Sequence, residues 1–232
     1  MSELKAFLIK KIHSFTDQYI AYPLLVLSDR LRGVDFYKIE VKDSERVKDV
    51  DDPYDLDDND LYDIYLYEST HLRVDRQLKR ICRNVSRKDS IIDVGCGKGR
   101  MLAFFSKFSF GRVDGLELDR GLCRIAKRNL NRLGVASRIM NIDATEFRHW
   151  DKYNYFYFYN PFPEEIMDVV LDHILMSLKK NPRTITALYA NPVWYQSFLK
   201  HGFTEIPLKA DGFEKIWRPY ISGLRVFRYV PT

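Results

Sequence analysis

The sequence is poor in cysteine and histidine, with three of the first and five of the second in 232 residues. Cys82, Cys96 and Cys123 form no C-x-x-C pair and are too few for a disulfide framework, so they read as free thiols of a reducing compartment rather than zinc ligands. Long apolar runs are missing too. The longest, Tyr19 to Leu27, is about half of the roughly 20 residues that cross a bilayer, and Pro23 interrupts it. Asp17 and Gln18 precede that run and no small-residue cleavage site follows it, which argues against a secretory signal and makes the cytoplasm the expected location. No internal repeat is visible.

Between Asp49 and Asp63 there is no lysine or arginine, only eight aspartates among apolar and polar residues. Asp55 to Asp60 has the look of a calcium loop, but the sixth-position glycine and the closing bidentate glutamate are absent, so no metal is expected. The opposite sign gathers at Arg120, Arg124, Lys127, Arg128, Arg132 and Arg138, a basic helix face that is ordinarily just solvated. The net charge of +5 tolerates an anionic partner without diagnosing nucleic acid.

What is present is enough for one sizeable core: 46% apolar residues over a length that suits one α/β domain with an appendage. Leu4, Phe7, Leu8, Ile12 and Phe15 have helical spacing, and a second helix restarts near Pro23. A strand-like stretch at 36–41 and the aspartates then connect to the main body. We therefore expect an N-terminal helical extension with an acidic connecting segment over 1–66 and one domain over 67–232. In the latter a helix through Leu72, Leu78, Ile81 and Val85 leads to a β-branched run, Ser90 to Val94. Strand-like segments follow at 112–118, 137–142, 155–159 and 184–190, separated by helical ones at 101–108, 120–133, 164–179 and 193–201. Segments 203–208 and 224–230 have only loop between them. That rhythm predicts an α/β fold: a doubly wound, mostly parallel seven-stranded sheet with its last strand antiparallel.

The most informative segment is Asp93-Val94-Gly95-Cys96-Gly97-Lys98-Gly99-Arg100, between a buried-type strand and an amphipathic helix. Glycines suit a chain that must reverse tightly and bring bare backbone against a ligand, and the helix start beyond offers free N–H groups. A dinucleotide fold would want its third glycine where Arg100 stands, which disfavours NAD. Glu117, at the end of the next strand, is placed to accept hydrogen bonds from two ribose hydroxyls. The third strand ends at Asp143-Ala144, and the fourth runs Tyr155 to Tyr159 into Asn160-Pro161-Phe162-Pro163. Pro161 presents a carbonyl without an N–H, and Phe162 a ring face for a flat or cationic group.

Asp-x-Gly-x-Gly-x-Gly resembles motif I of class I S-adenosylmethionine-dependent methyltransferases, and the likeness extends over about residues 67 to 232. It implies S-adenosyl-L-methionine as cofactor. Gly95 and Gly97, with Cys96 and Gly99 in the same bend, would line its methionine part and Asp93 would reach its amino group. Glu117 and Leu118 would hold the ribose and its surroundings, and Asp143 and Ala144 the adenine. Asn160-Pro161-Phe162 resembles the Asn/Asp-Pro-Pro-Tyr/Phe signature of enzymes that methylate amino groups, with phenylalanine in place of the second proline, and makes these three the candidate catalytic residues. A second resemblance is to the seven-stranded, non-SET histone lysine methyltransferases and their bacterial relatives. Tyr67-Glu68-Ser69-Thr70 resembles their cofactor-covering loop, which makes Tyr67 and Thr70 candidate lid residues. Gly115-Leu116-Glu117-Leu118 and Tyr159-Asn160-Pro161-Phe162 carry the rest of that likeness.

The expected function is methyl transfer to a nitrogen, or an oxygen, of an unidentified protein or small molecule. The alternatives are a nucleic-acid base methyltransferase, open but not favoured because no recognition domain is evident, and a catalytically silent cofactor-binding module. His71 and His149 are the histidines nearest the site, though each suits a surface or core role. Asn191, in Asn191-Pro192 after the fifth strand, either shapes the acceptor pocket or, as the preferred account, caps a helix starting at Val193. The sequence leaves the oligomeric state open.

Overall fold

The computed structural model describes residues 22–36, 72–208 and 223–231. The chain divides into two compact units, one of residues 70–208 and 222–232, the other of residues 1–69 and 209–221. In the second unit, helix α1 (Tyr22–Arg32) carries Pro23 in its first turn, where a missing N–H costs nothing. Its end is closed by Asp29, whose carboxylate accepts the Phe36 N–H at 2.7 Å and pairs with Arg32 at 3.0 Å.

The larger unit runs α2 (Leu72–Cys82), β1 (Ser90–Val94), α3 (Arg100–Phe105), β2 (Arg112–Glu117), α4 (Arg120–Arg132), β3 (Arg138–Asn141), β4 (Tyr155–Tyr159), α5 (Glu164–Met176), β5 (Ile185–Ala190), α6 (Tyr195–Lys200), β6 (Thr204–Glu205) and β7 (Leu224–Tyr229). Single 3-10 turns precede β4 (Trp150–Lys152) and follow α5 (Ser177–Lys179). The seven strands lie in the order β3-β2-β1-β4-β5-β7-β6. All pairs from β3 to β5 are parallel, and β7 inserts antiparallel between β5 and β6. The expected strand at 203–208 shrinks to two residues because Phe203 turns into the core and only Thr204 and Glu205 pair with β7. The helix expected over 193–201 starts later, at Tyr195.

Side chains alternate across the sheet as a period of two requires. Ile92, Val94, Phe156, Phe158, Ala187 and Tyr189 face α5 and α6 in the main core, where Phe198 and Phe227 stack at 4.7 Å. Tyr155 and Tyr157 point the other way, edge-on to Phe110 and Phe105 at 5.4 and 5.3 Å. Asp93, register partner of Tyr157, shares that second face. All three cysteines are buried free thiols. Among the described residues no helix is long and apolar enough to cross a membrane, and no cluster of His, Cys, Asp or Glu is arranged to hold a metal.

Candidate active site at the carboxyl edge of the sheet

The sheet topology delivers the predicted residues to one edge. Gly95 follows β1, Glu117 ends β2, Asp143 follows β3, Asn160 follows β4 and Asn191 follows β5. In an open parallel sheet whose strand order reverses beside β1, this is the edge at which ligands bind.

The glycine loop is built from left-handed backbone, with φ of 80° at Gly95, 49° at Gly97 and 81° at Gly99. Its shape is fixed from beneath. Leu116 accepts the N–H groups of Gly95 and Cys96 at 3.0 and 2.8 Å, and Asn129, fully buried in α4, donates its amide to the Lys98 carbonyl at 3.2 Å. Cys96 packs into the space beside Gly115, where a Cβ would come within 2.6 Å of its sulfur. The Arg100 guanidinium meets Asp75 of α2 at 2.7 Å, both side chains 16% exposed.

Two carboxyl groups stand under the loop. Glu117 accepts the Gly97 N–H on Oε2 at 2.8 Å and the Asp119 N–H on Oε1 at 2.9 Å, so β2 and the glycine loop are joined through it. Burial raises its pKa, and those backbone N–H groups pull it partly back. Asp93 is 3% exposed. Burial and then the charge of Glu117 push its carboxyl well above the ordinary range, and Arg100 offsets this only in part. Beside it the Tyr157 hydroxyl is buried without a hydrogen-bond partner among the described residues, and burial keeps it un-ionised.

Leu118 is 58% exposed, an apolar side chain presented at the mouth, with Asn141 Nδ2 donating to its carbonyl at 2.6 Å. Asp143 has its Oδ1 engaged by the Thr145 N–H and hydroxyl, and Ala144 packs partly on the core. His149 is exposed and edge-on to Phe147, while Tyr67, Thr70 and His71 lie outside the described residues.

After β4 the chain bends at Asn160 with φ of 42°, and after β5 it bends again at Asn191 with φ of 48°. Pro161 packs directly on Gly95, and Phe162 meets Phe158 edge-on at 6.5 Å. Asn191 does not cap a helix: α6 follows Trp194 without a side-chain cap, and the Asn191 carbonyl accepts the Val193 N–H at 2.9 Å. The two elbows are linked by Tyr189 of β5, to which the strand pattern assigned no role in the site. Its hydroxyl accepts the Trp194 N–H and donates to Asn160 Oδ1, each at 3.2 Å. Burial pushes this hydroxyl up to about 12, so at neutral pH it remains a donor. Tyr189, Asn129 and the Asp75–Arg100 pair are the site's unforeseen members. Only Asn129 left a sequence signal, an amide on the apolar stripe of Ile125, Ala126 and Leu130.

Residues 91–182 match a family described as "Methyltransferase domain". No curated protein matches the chain. Among solved structures, the methyltransferase domain of a bacterial Hen1, CtHen1-CN, is 14% identical over 69% of this chain and 100% of its own, with a TM-score of 0.50. The mitomycin 7-O-methyltransferase MmcR is 12% identical over 74% of this chain and 57% of its own, also at 0.50. An RNA methyltransferase from Salinibacter ruber in complex with S-adenosyl-L-homocysteine is 20% identical over 67% of this chain and 88% of its own, at 0.41.

Proposed function

We propose, from the premise that this chain carries an S-adenosylmethionine-dependent methyltransferase domain, that it methylates a nitrogen of a protein or small-molecule acceptor presented at Asn160. The observation that carries this reading is the relay from the Trp194 N–H through the Tyr189 hydroxyl to Asn160 Oδ1. It fixes an amide oxygen, with a lone pair to spare, on an elbow that packs against the glycine loop.

The residues present fit the cofactor. Each Glu117 oxygen receives one backbone N–H and keeps a lone pair for a ribose hydroxyl. Asp93, buried and with its carboxyl pushed up by burial and by the charge of Glu117, is a costly group that an ammonium would satisfy. Gly95, Cys96, Gly97 and Gly99 offer main chain to the methionine part, Leu118 an apolar surface, and Asp143 and Ala144 the end of β3 for the adenine. Tyr67 and Thr70 are proposed to cover it. When bound, the cofactor would supply a methyl group on a sulfonium, which the acceptor would take in line as the neutral thioether leaves.

The chain's own task is therefore orientation and exclusion of water, a source of about 7–11 kcal/mol in well-aligned reactions. Asn160 Oδ1 and the Pro161 carbonyl accept hydrogen bonds from the acceptor nitrogen, and Phe162 supports a flat or cationic group. Tyr189 holds its proton at neutral pH, so the elbow directs a nitrogen lone pair without removing its proton. An acceptor nitrogen that is uncharged at neutral pH suits it best.

The test is transfer of labelled methyl from S-adenosylmethionine into protein, metabolite and RNA pools. Label in the first or second that is lost in Asn160→Ala, with cofactor affinity retained, supports the proposal. Label only in RNA would move the acceptor to a nucleic-acid base. Cofactor binding without label in any pool would make the chain a silent module.

A further inference from the structure

The opposite, amino edge of the sheet holds an open cleft of about 460 Å³ that methyl transfer does not use. Ser90 and Arg112, the first residues of β1 and β2, line it together with Asp151 and Lys152 of the turn ahead of β4. Its walls are braced. Gly111 presses on the Arg87 carbonyl so closely that any Cβ there would overlap the oxygen. Asn181 Nδ2 donates to the Asp151 carbonyl at 2.8 Å, and the Arg183 guanidinium ties the turns together through Tyr153 O at 2.6 Å, Trp150 O at 2.7 Å and Ser177 Oγ at 2.9 Å. A cleft held this way is formed before any ligand arrives.

Its charges are unbalanced. The Arg87 guanidinium donates to the Phe110 carbonyl at 3.4 Å, and among the described residues neither Arg87 nor Lys152 has an ion pair. Arg112, 46% exposed, stands 3.9 Å from Asp114, whose Oδ2 already accepts the Tyr153 hydroxyl at 2.7 Å. The single acid of the lining, Asp151, is neutralised by Lys180 at 3.0 Å through Oδ2, yet its Oδ1 is buried with no hydrogen-bond partner among the described residues. Arg87 and Lys152 have no ion pair among the described residues and Arg112 is only loosely paired with Asp114, so the lining carries excess positive charge that suits an anion, and forked guanidinium groups match phosphate oxygens. The orphaned carboxylate oxygen calls for a hydroxyl donor. The polar lining excludes a lipid chain, and the volume is that of a small-ligand site, which run about 300–1,000 Å³.

We propose that this cleft binds a sugar phosphate unit, its phosphate held by Arg87, Arg112 and Lys152 and a sugar hydroxyl donating to Asp151 Oδ1. The site is an anchor on the face remote from the chemistry, and it does not depend on the identity of the methyl acceptor.

The experiment is calorimetric titration of the full chain with ribose 5-phosphate, inorganic phosphate and ribose. The expected result is saturable binding of ribose 5-phosphate, weaker binding of inorganic phosphate and none of ribose. In Arg112→Gln/Lys152→Gln the affinity for ribose 5-phosphate falls about tenfold or more, with S-adenosylmethionine affinity and melting temperature unchanged. Asp151→Asn removes the preference for the sugar phosphate over inorganic phosphate. Lys152→Gln alone, at an exposed position, keeps the test open should the double variant fold poorly. Competition by a short RNA would identify the unit as part of a nucleic-acid backbone, and its absence as a free metabolite; either supports the site. No saturable binding of ribose 5-phosphate at millimolar concentration, equal affinity for inorganic phosphate, or binding indifferent to both Lys152→Gln and the double variant would overturn it.

Discussion

Gly95 and Pro161 leave no room for a single carbon between them: a Cβ on Gly95 would stand 2.7 Å from the Pro161 Cβ. The turn after β1 and the elbow after β4 therefore form one surface, so the proposed cofactor loop and the proposed acceptor loop are positioned against each other. Gly95→Ala should disturb both. A non-glycine residue in left-handed backbone costs on the order of 1–2 kcal/mol, and displacement of Pro161 adds to it. Calorimetry should show S-adenosylmethionine binding weakened by about tenfold or more, with turnover reduced further than saturating cofactor restores. Full activity at saturating cofactor would mean that the two loops are independent.

The raised pKa of Asp93 has a consequence for stability. In the cofactor-free protein the folded carboxyl binds its proton more tightly than the unfolded chain, whose ordinary value is 3.8. The stability this contributes is complete below that value and is lost as pH rises through the raised folded pKa. Asp93→Asn removes the titration. Its melting temperature should exceed that of the wild type at about pH 8, the gap closing toward about pH 4, while cofactor affinity falls. A gap that stays constant across that range would show that Asp93 titrates normally.

How far the sequence alone led is clearest at particular residues. Ser90 to Val94 stops at glycines and Glu117 ends its strand, and such local signals survive folding because strand ends and left-handed turns are decided by nearby residues. Long-range partners are another matter. That Arg100 would pair with Asp75, 25 residues earlier, depends on how α2 packs, which no local pattern encodes. Tyr189 read only as part of the fifth strand, yet its hydroxyl serves Asn160, 29 residues away. The insertion of β7 between β5 and β6 is equally non-local. The amino-edge cleft escaped notice because its cations are scattered over 87–152 and only the sheet gathers them.

The Asp75–Arg100 pair joins α2 to the start of α3 beside the buried Asp93. Loss of one partner leaves the other facing a partly dry site. We expect Asp75→Asn and Arg100→Gln each to lower stability by about 1–3 kcal/mol, and the double variant to lose less than the sum. Denaturant unfolding of the four proteins measures the coupling. Strict additivity would mean that the contact contributes nothing in solution.

Tyr189→Phe separates the relay from the core. The ring remains, so packing against Phe158 and Phe198 at 6.1 and 5.3 Å is kept, and only the hydroxyl between the Trp194 N–H and Asn160 Oδ1 is lost. Asn160 then keeps its backbone but not the donor that orients its amide, and the amide is free to rotate. A misdirected acceptor oxygen harms the reacting geometry more than it harms ground-state binding, and cofactor contacts on the β1 and β2 side are untouched. The expected outcome is a kcat reduced about tenfold, the equivalent of about 1.4 kcal/mol, with cofactor affinity within error of the wild type. The double variant Tyr189→Phe/Asn160→Ala should be no slower than Asn160→Ala alone, because a group that acts only through Asn160 has nothing left to position. Additive losses would give Tyr189 a separate role, and an unchanged kcat in Tyr189→Phe would remove the relay from the mechanism.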